Sequence, residues 1–246
     1  MKNLTRLLLC FSLHLHAQTT DADHSQKMNE IVVNRFDDTI NIAILVYQDV
    51  VLQDFAGPME VFSKAQKLTK GKYNTYTVSL DKQPITTEQG LLTITPSYDI
   101  HNMPAPDYLI VPGASMPVIN ELLNDQSLRA FITNINSTVV SICTASYLLA
   151  NTGKLDEKKA TTHYFVANDF KAKFPKVEVI EHVRFVDERD VITSSGITSG
   201  IDAALHVVEK NHGEKLRAMI ARALQHTFKE KEPWPVAPNG MEYRGN

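Results

Sequence analysis

Val139-Val140-Ser141-Ile142-Cys143-Thr144-Ala145-Ser146 is the stretch on which the reading of the fold turns. Strand-prone residues lead into a thiol, and small residues followed by Leu148 and Leu149 then open a helical pattern, so the chain is expected to pass sharply from strand to helix at Cys143. A side chain at such a turn projects from the carboxyl end of its strand. The amides of the new helical turn favour negative charge beside them, and that geometry lowers the pKa of a thiol. Against this stands the ordinary behaviour of cysteine as a small, buried, inert apolar residue.

Working outward, residues 41–47 (NIAILVY) form a continuous apolar run of strand length, as expected of a strand buried on both faces in a parallel sheet. Residues 107–111 (DYLIV) form a second, closed by Pro112-Gly113. A loop over 48–55 holds Asp49 and Asp54, and Gly57-Pro58 reads as the opening of a helix with Val61, Phe62, Ala65 and Leu68 on one face. Strand-like pieces cover 73–80 and 91–95, and helices are expected over 117–123, 127–135, 197–208 and 214–228. A hairpin over 183–187 and 191–194 makes the sheet mixed. Buried strands alternating with amphipathic helices predict an α/β fold, doubly wound about a mostly parallel central sheet.

The 246 residues suffice for one large domain, read here as 41–228. A net charge of −3 without a basic run argues against nucleic acid or an anionic membrane surface as a partner. The histidines lack the spacing of a zinc site, so no metal is expected. Residues 1–17 place Lys2 and Arg6 before an apolar segment and Ala17 at a cleavage position, which reads as a signal peptide. A membrane anchor would need about 20 apolar residues. A cleaved leader makes the protein periplasmic or secreted, and without cleavage it is cytoplasmic. Residues 18–40 read as a flexible lead-in, and 229–246, with Pro233, Pro235 and Pro238, as an extended tail. Removal of the leader takes Cys10 with it and leaves Cys143 with no disulfide partner.

In open α/β sheets ligands sit outside the carboxyl ends of the strands, and three stretches are expected there: Cys143, Pro112-Gly113-Ala114, and the loop with Asp54. The Gly113, Ala114 and Thr144 amides could form an oxyanion-type site, the alternative being that Gly113 is a plain turn glycine. Asp54, between Leu52 and Phe55, is the acid placed to be partly buried. It would then have a raised pKa and act as proton donor or acceptor, unless it caps the helix near Pro58. Glu60, assigned to the first helical turn, is accounted for by the helix dipole. His163 is placed to line the same pocket, either as a base or as a structural residue. In the turn over 195–200, Ile197 and Thr198 are positioned to meet substrate, or else Thr198 or Ser199 caps the following helix.

Five collinear motifs carry a resemblance. Asp54-Phe55-Ala56-Gly57-Pro58-Met59-Glu60-Val61-Phe62, Val111-Pro112-Gly113, Ser141-Ile142-Cys143-Thr144-Ala145-Ser146, Ala160-Thr161-Thr162-His163-Tyr164 and Gly196-Ile197-Thr198-Ser199-Gly200-Ile201-Asp202 occur in the order seen in the ThiJ/PfpI superfamily. Within it the chain resembles the isocyanide hydratase branch, which is similar in turn to the amino-terminal domain of certain AraC-type regulators. The resemblance implies a flavodoxin-like three-layer sandwich, a homodimer, and a cysteine on a strained nucleophile elbow. It implies no cofactor, a small-molecule substrate, and catalysis by Cys143 with Asp54 and Thr144, converting isocyanides to N-substituted formamides. Thr144 stands where peptidase-like relatives place histidine, and Ala114 and Ala145 stand where relatives often have glycine. Two other functions are compatible with the residues: glyoxalase or deglycase chemistry on methylglyoxal-type carbonyls, and a non-enzymatic ligand-binding or redox-sensing module.

Overall fold

The computed structural model describes residues 39–228; the leader, nearly all of the lead-in and the tail lie outside the described residues. Strand β1 (Ile40–Leu45) starts one residue inside the expected lead-in and is buried along almost its whole length. It is followed by helix α1 (Leu52–Leu68), strands β2 (Tyr73–Ser79), β3 (Ile85–Thr86), β4 (Thr93–Ile94) and β5 (Tyr98–Asp99), then β6 (Tyr108–Val111). Helices α2 (Met116–Leu122) and α3 (Gln126–Asn134) lead to β7 (Thr138–Ile142), which runs through a 3-10 turn, Cys143–Ala145, into α4 (Ser146–Asn151). Beyond lie β8 (Lys159–Ala160), α5 (Ala167–Lys173), β9 (Glu178–Val179), β10 (Phe185–Asp187), β11 (Val191–Ser194), α6 (Ser199–His212) and α7 (Glu214–Ala223).

The main sheet has seven strands in the order β10-β11-β7-β6-β1-β2-β5. Its pairs are parallel except β10 with β11, the expected hairpin, in which Phe185 faces Ser194. The chain moves one way along the sheet from β1 to β2 and the other way from β6 to β7, so right-handed crossovers place the helices on opposite faces. Helix α1 packs with α6 and α7 on one face, and α4 packs with α2 and α3 on the other. The fold is thus an α/β three-layer sandwich. Its strand order reverses between β1 and β6, where an open parallel sheet leaves a crevice for ligands. Of the two minor sheets, β3 with β4 and β8 with β9, β4 falls in the expected strand over 91–95; β3, β8 and β9 are two-residue strands that carry too little alternation to be read as a pattern.

Gly57-Pro58 lies inside helix α1 and not at its start. The helix begins six residues earlier than expected, at Leu52, so Asp54 sits on its first turn and Glu60 does not. Pro58 lacks the N–H that would bond to the carbonyl four residues back, which is that of Asp54. Small residues serve close packing here. A β-carbon at Gly57 would lie 3.1 Å from Ile201, and one at Gly200 would lie 3.0 Å from Ile142 and 3.5 Å from Pro58. Side chains of one element therefore press directly on the glycine backbone of the next where α1, α6 and the end of β7 meet. Gly200→Ala is expected to cost roughly 1–3 kcal/mol of stability by overpacking this junction, measurable by denaturant unfolding.

Candidate active site

Three chain segments converge beyond the carboxyl ends of β1, β6 and β7. The loop after β1 is tied to the loop after β6 by a bridge between Val50 and Ala114 and by the Val51 amide, which donates to the Gly113 carbonyl at 3.0 Å. These bonds seat the first turn of α1 under the mouth of the sheet. Asp54 is fully buried there, and its Oδ2 accepts a hydrogen bond from the Gly113 amide at 2.9 Å. Its Oδ1 is buried with no hydrogen-bond partner among the described residues, and the Cys143 thiol is one of the neighbours that act on the carboxylate.

Cys143 has φ +60° and is 6 % exposed. Among the described non-glycine residues with positive φ it is the only buried one; the others are half-buried or exposed. Holding a side chain in this region costs on the order of 1–3 kcal/mol, so the surroundings must enforce it. Two hydroxyls help: Ser146 donates to Thr162 at 2.7 Å, and Thr162 donates to the Cys143 carbonyl at 3.3 Å. Thr144 holds the other side. Its hydroxyl donates to the Ala114 carbonyl at 2.7 Å and accepts from the Ala114 amide at 3.0 Å, which locks the elbow to the loop after β6.

Gly113 is where these groups meet. A β-carbon there would lie 2.7 Å from Thr144 Oγ1, 2.8 Å from Asp54 Oδ2 and 3.0 Å from Cys143 Cβ. Its role is therefore close approach and not a tight turn. The expected oxyanion site is altered as a result: the Gly113 and Ala114 amides are taken by Asp54 and Thr144, which leaves the Thr144 amide directed at the sulfur.

Burial governs the electrostatics. It pushes Asp54 up to about 7, aided by the charge of Glu88 and opposed by the Gly113 amide and the thiol. Burial likewise pushes the Cys143 thiol up, with the Asp54 charge adding to the effect and the Thr144 amide and hydroxyl opposing it. The low thiol pKa expected from the helical turn alone does not hold, because desolvation outweighs one turn of amides. Two groups that resist simultaneous ionisation hold a proton between them. Tyr47, buried alongside, is pushed up by its own burial and by both of these groups, and donates its hydroxyl to the Pro112 carbonyl.

A cavity of about 340 Å³ opens over Cys143, lined in part by Ala114, Thr144, His163 and Glu88. His163 is half-buried and burial lowers its pKa. Its Nδ1 accepts from the Phe165 amide at 3.4 Å, so the neutral ring carries its proton on Nε2. Ile197 and Thr198 are not brought to the cavity. Ile197 is 42 % exposed, and the Thr198 hydroxyl is engaged at 3.0 Å by Arg184, which also bonds the buried Asp202. Neither Thr198 nor Ser199 caps α6 with its side chain; the Ser199 hydroxyl accepts from the Gly196 amide at 2.8 Å. Gly196 reaches the site only by pressing on the His163 ring. Sequence reasoning passed over Glu88, Tyr47 and Thr162. Residues 81–90, between the strand-like pieces at 73–80 and 91–95, are mostly polar and end at Gly90, a pattern that marks a turn without saying what it covers.

The DJ-1/PfpI family model matches residues 41–210. The chain belongs to the DJ-1/PfpI family. Among curated relatives it is 27% identical over 190 residues to the isonitrile hydratase of Pseudomonas putida, covering 76% of this chain and 78% of that one. It is 29% identical over 185 residues to the HTH-type transcriptional regulator GbdR of Pseudomonas aeruginosa, covering 74% of this chain but 49% of the regulator, so it spans about half the length of that relative. A ThiJ/PfpI family protein from Pseudomonas syringae superposes with a TM-score of 0.69 at 25% identity, over 93% of this chain and 88% of that one. Other DJ-1/PfpI folds, such as Drosophila melanogaster DJ-1beta at 15% identity and a TM-score of 0.65, share the architecture. The flavodoxin-like sandwich of the family is the fold of this chain.

A buried carboxyl titrating near 7 also bears on stability. The unfolded chain releases this proton near pH 4 and the folded chain near pH 7, so the contribution of Asp54 to stability falls as pH rises between them. Asp54→Asn, which retains an acceptor for the Gly113 amide, is expected to gain roughly 2–4 kcal/mol over the wild type between pH 4 and pH 8 in urea unfolding.

Proposed function

We propose that the protein is a cofactor-independent hydratase that adds water to a small electrophile through Cys143, with isocyanide as the substrate and N-substituted formamide as the product. The observation that carries this reading is the facing pair of a buried thiol and a buried carboxyl that titrates near neutrality, with Thr144 and not histidine beside the thiol. The pair supplies the nucleophile and the proton that hydration needs, with no third titrating group between them.

The steps follow from the positions of the groups. Ionised Asp54 takes the proton of the Cys143 thiol as the sulfur attacks the terminal isocyanide carbon, forming the C–S bond. The same proton then passes from Asp54 to that carbon, giving a thioimidate on Cys143. Water adds to the thioimidate carbon, the C–S bond breaks, and the sulfur regains a proton as the formamide leaves. One water is consumed and no electrons are exchanged. The Thr144 amide is placed to ease negative charge on the sulfur during attack and departure. Similarity to the Pseudomonas putida isonitrile hydratase over most of both chains supports the chemistry. Similarity to GbdR supports a second reading, in which the same pocket binds a ligand without turning it over.

Purified protein is expected to convert an alkyl or aryl isocyanide to the formamide, followed by NMR. Cys143→Ala and Asp54→Ala should each lower kcat by at least about 100-fold. Because the base form of Asp54 is required, kcat/KM should rise with pH up to about 7 and then level. Absence of turnover across a panel of isocyanides, with binding retained, would select the ligand-binding reading.

A further inference from the structure

The walls of the cavity over Cys143 are chemically uneven. Val51, Met116, Pro117, Phe165 and Val166 give it apolar surface, no lysine or arginine lines it, and Glu88 is the carboxylate on its wall among the described residues. Glu88 is held in place by its backbone. Its amide donates to the Val50 carbonyl at 3.0 Å, and the preceding Thr87 is closed onto Leu92 by bonds of 2.9 and 3.0 Å, before the chain reverses at Gln89 with φ +60°. The turn is thereby clamped onto the loop that leads into α1. The acidic group sits at the cavity as a built part of the wall, three residues before the exposed Leu91.

We infer that Glu88 is a charge filter, admitting neutral and cationic apolar molecules to Cys143 and turning away those that carry a carboxylate, sulfonate or phosphate. As a determinant of substrate choice the filter rests on the hydratase reading of this site, and it names the class: compact, apolar, uncharged or cationic. A like charge entering a cavity of low polarity meets a repulsion weakly screened by salt; among the described residues no lysine or arginine on the wall compensates it, and burial disfavours the charged form of His163. The same charge opposes ionisation of both Asp54 and Cys143.

The test reads access to the thiol without needing turnover. Cys143 is labelled at low salt with 2-aminoethyl methanethiosulfonate, a cation, and with 2-sulfonatoethyl methanethiosulfonate, an anion. In each case the sulfur attacks the reagent, a mixed disulfide forms and methanesulfinate leaves. Relative to a small neutral cysteine derivative in the same buffer, the wild type is expected to prefer the cation by about tenfold. Glu88→Gln should bring the preference to within about threefold of the free thiol, and Glu88→Asp should keep it. Equal preference in wild type and Glu88→Gln, or its loss in Glu88→Asp as well, overturns the filter. With isocyanides, the ratio of kcat/KM for methyl isocyanoacetate to that for the isocyanoacetate anion should shrink about tenfold in Glu88→Gln. Should neither compound be turned over, the hydratase reading fails while the labelling ratio still decides the filter.

Discussion

A methyl group does not fit at Gly113, and the site depends on that vacant volume. The loop after β6 can pass between Asp54, Thr144 and Cys143 only as bare backbone, and in passing it gives its amide to the carboxylate. That one bond partly offsets the cost of burying Asp54 completely. The neighbouring residue, Ala114, gives both its amide and its carbonyl to Thr144, so the two loops and the elbow form one hydrogen-bonded unit. Two successive backbone residues thus position Asp54 and Thr144.

Burial then sets the chemistry. In water Asp54 would ionise near pH 4 and hold no proton at neutrality, and a thiol beside a helical turn would be a stable thiolate. With both groups desolvated against each other, each resists losing its proton while the other is charged. Burial brings the carboxyl near neutrality while it holds the thiol protonated, so Asp54 is the member of the pair that changes its ionisation state near pH 7. The strained φ of Cys143 belongs to the same design, because it turns the sulfur out of β7 toward the carboxylate. The Ser146–Thr162–Cys143 hydroxyl chain holds it there.

The packing behind the site explains residues that carry no chemistry. Gly57 and Pro58 in α1 and Gly200 in α6 bring two helices and the end of β7 into close contact, which fixes the height of the first turn of α1 relative to the elbow. The turn with Glu88 adds to the wall of the cavity. The scaffold therefore presents a largely apolar chamber with few ionisable groups.

The sequence by itself determined the layer architecture, because runs such as 41–47 and 108–111 are apolar on both faces, and a strand covered by helices on two sides has that composition. It also determined the strand-to-helix elbow at Cys143, and with it the sheet edge where Asp54 and Gly113 would be found. Only the tertiary structure decided that α1 begins at Leu52, since Pro58 is tolerated within a helix whose neighbours are already packed. The same holds for the proton affinities of Asp54 and Cys143, which follow from how much protein surrounds them and not from the residues beside them in the chain. Which groups face the cavity was also beyond local reading: Glu88 enters through a clamp between segments nearly forty residues apart, while Thr198 is drawn away by Arg184. Local pattern specifies which face of an element is buried; the distances across loops that create a site are set by packing.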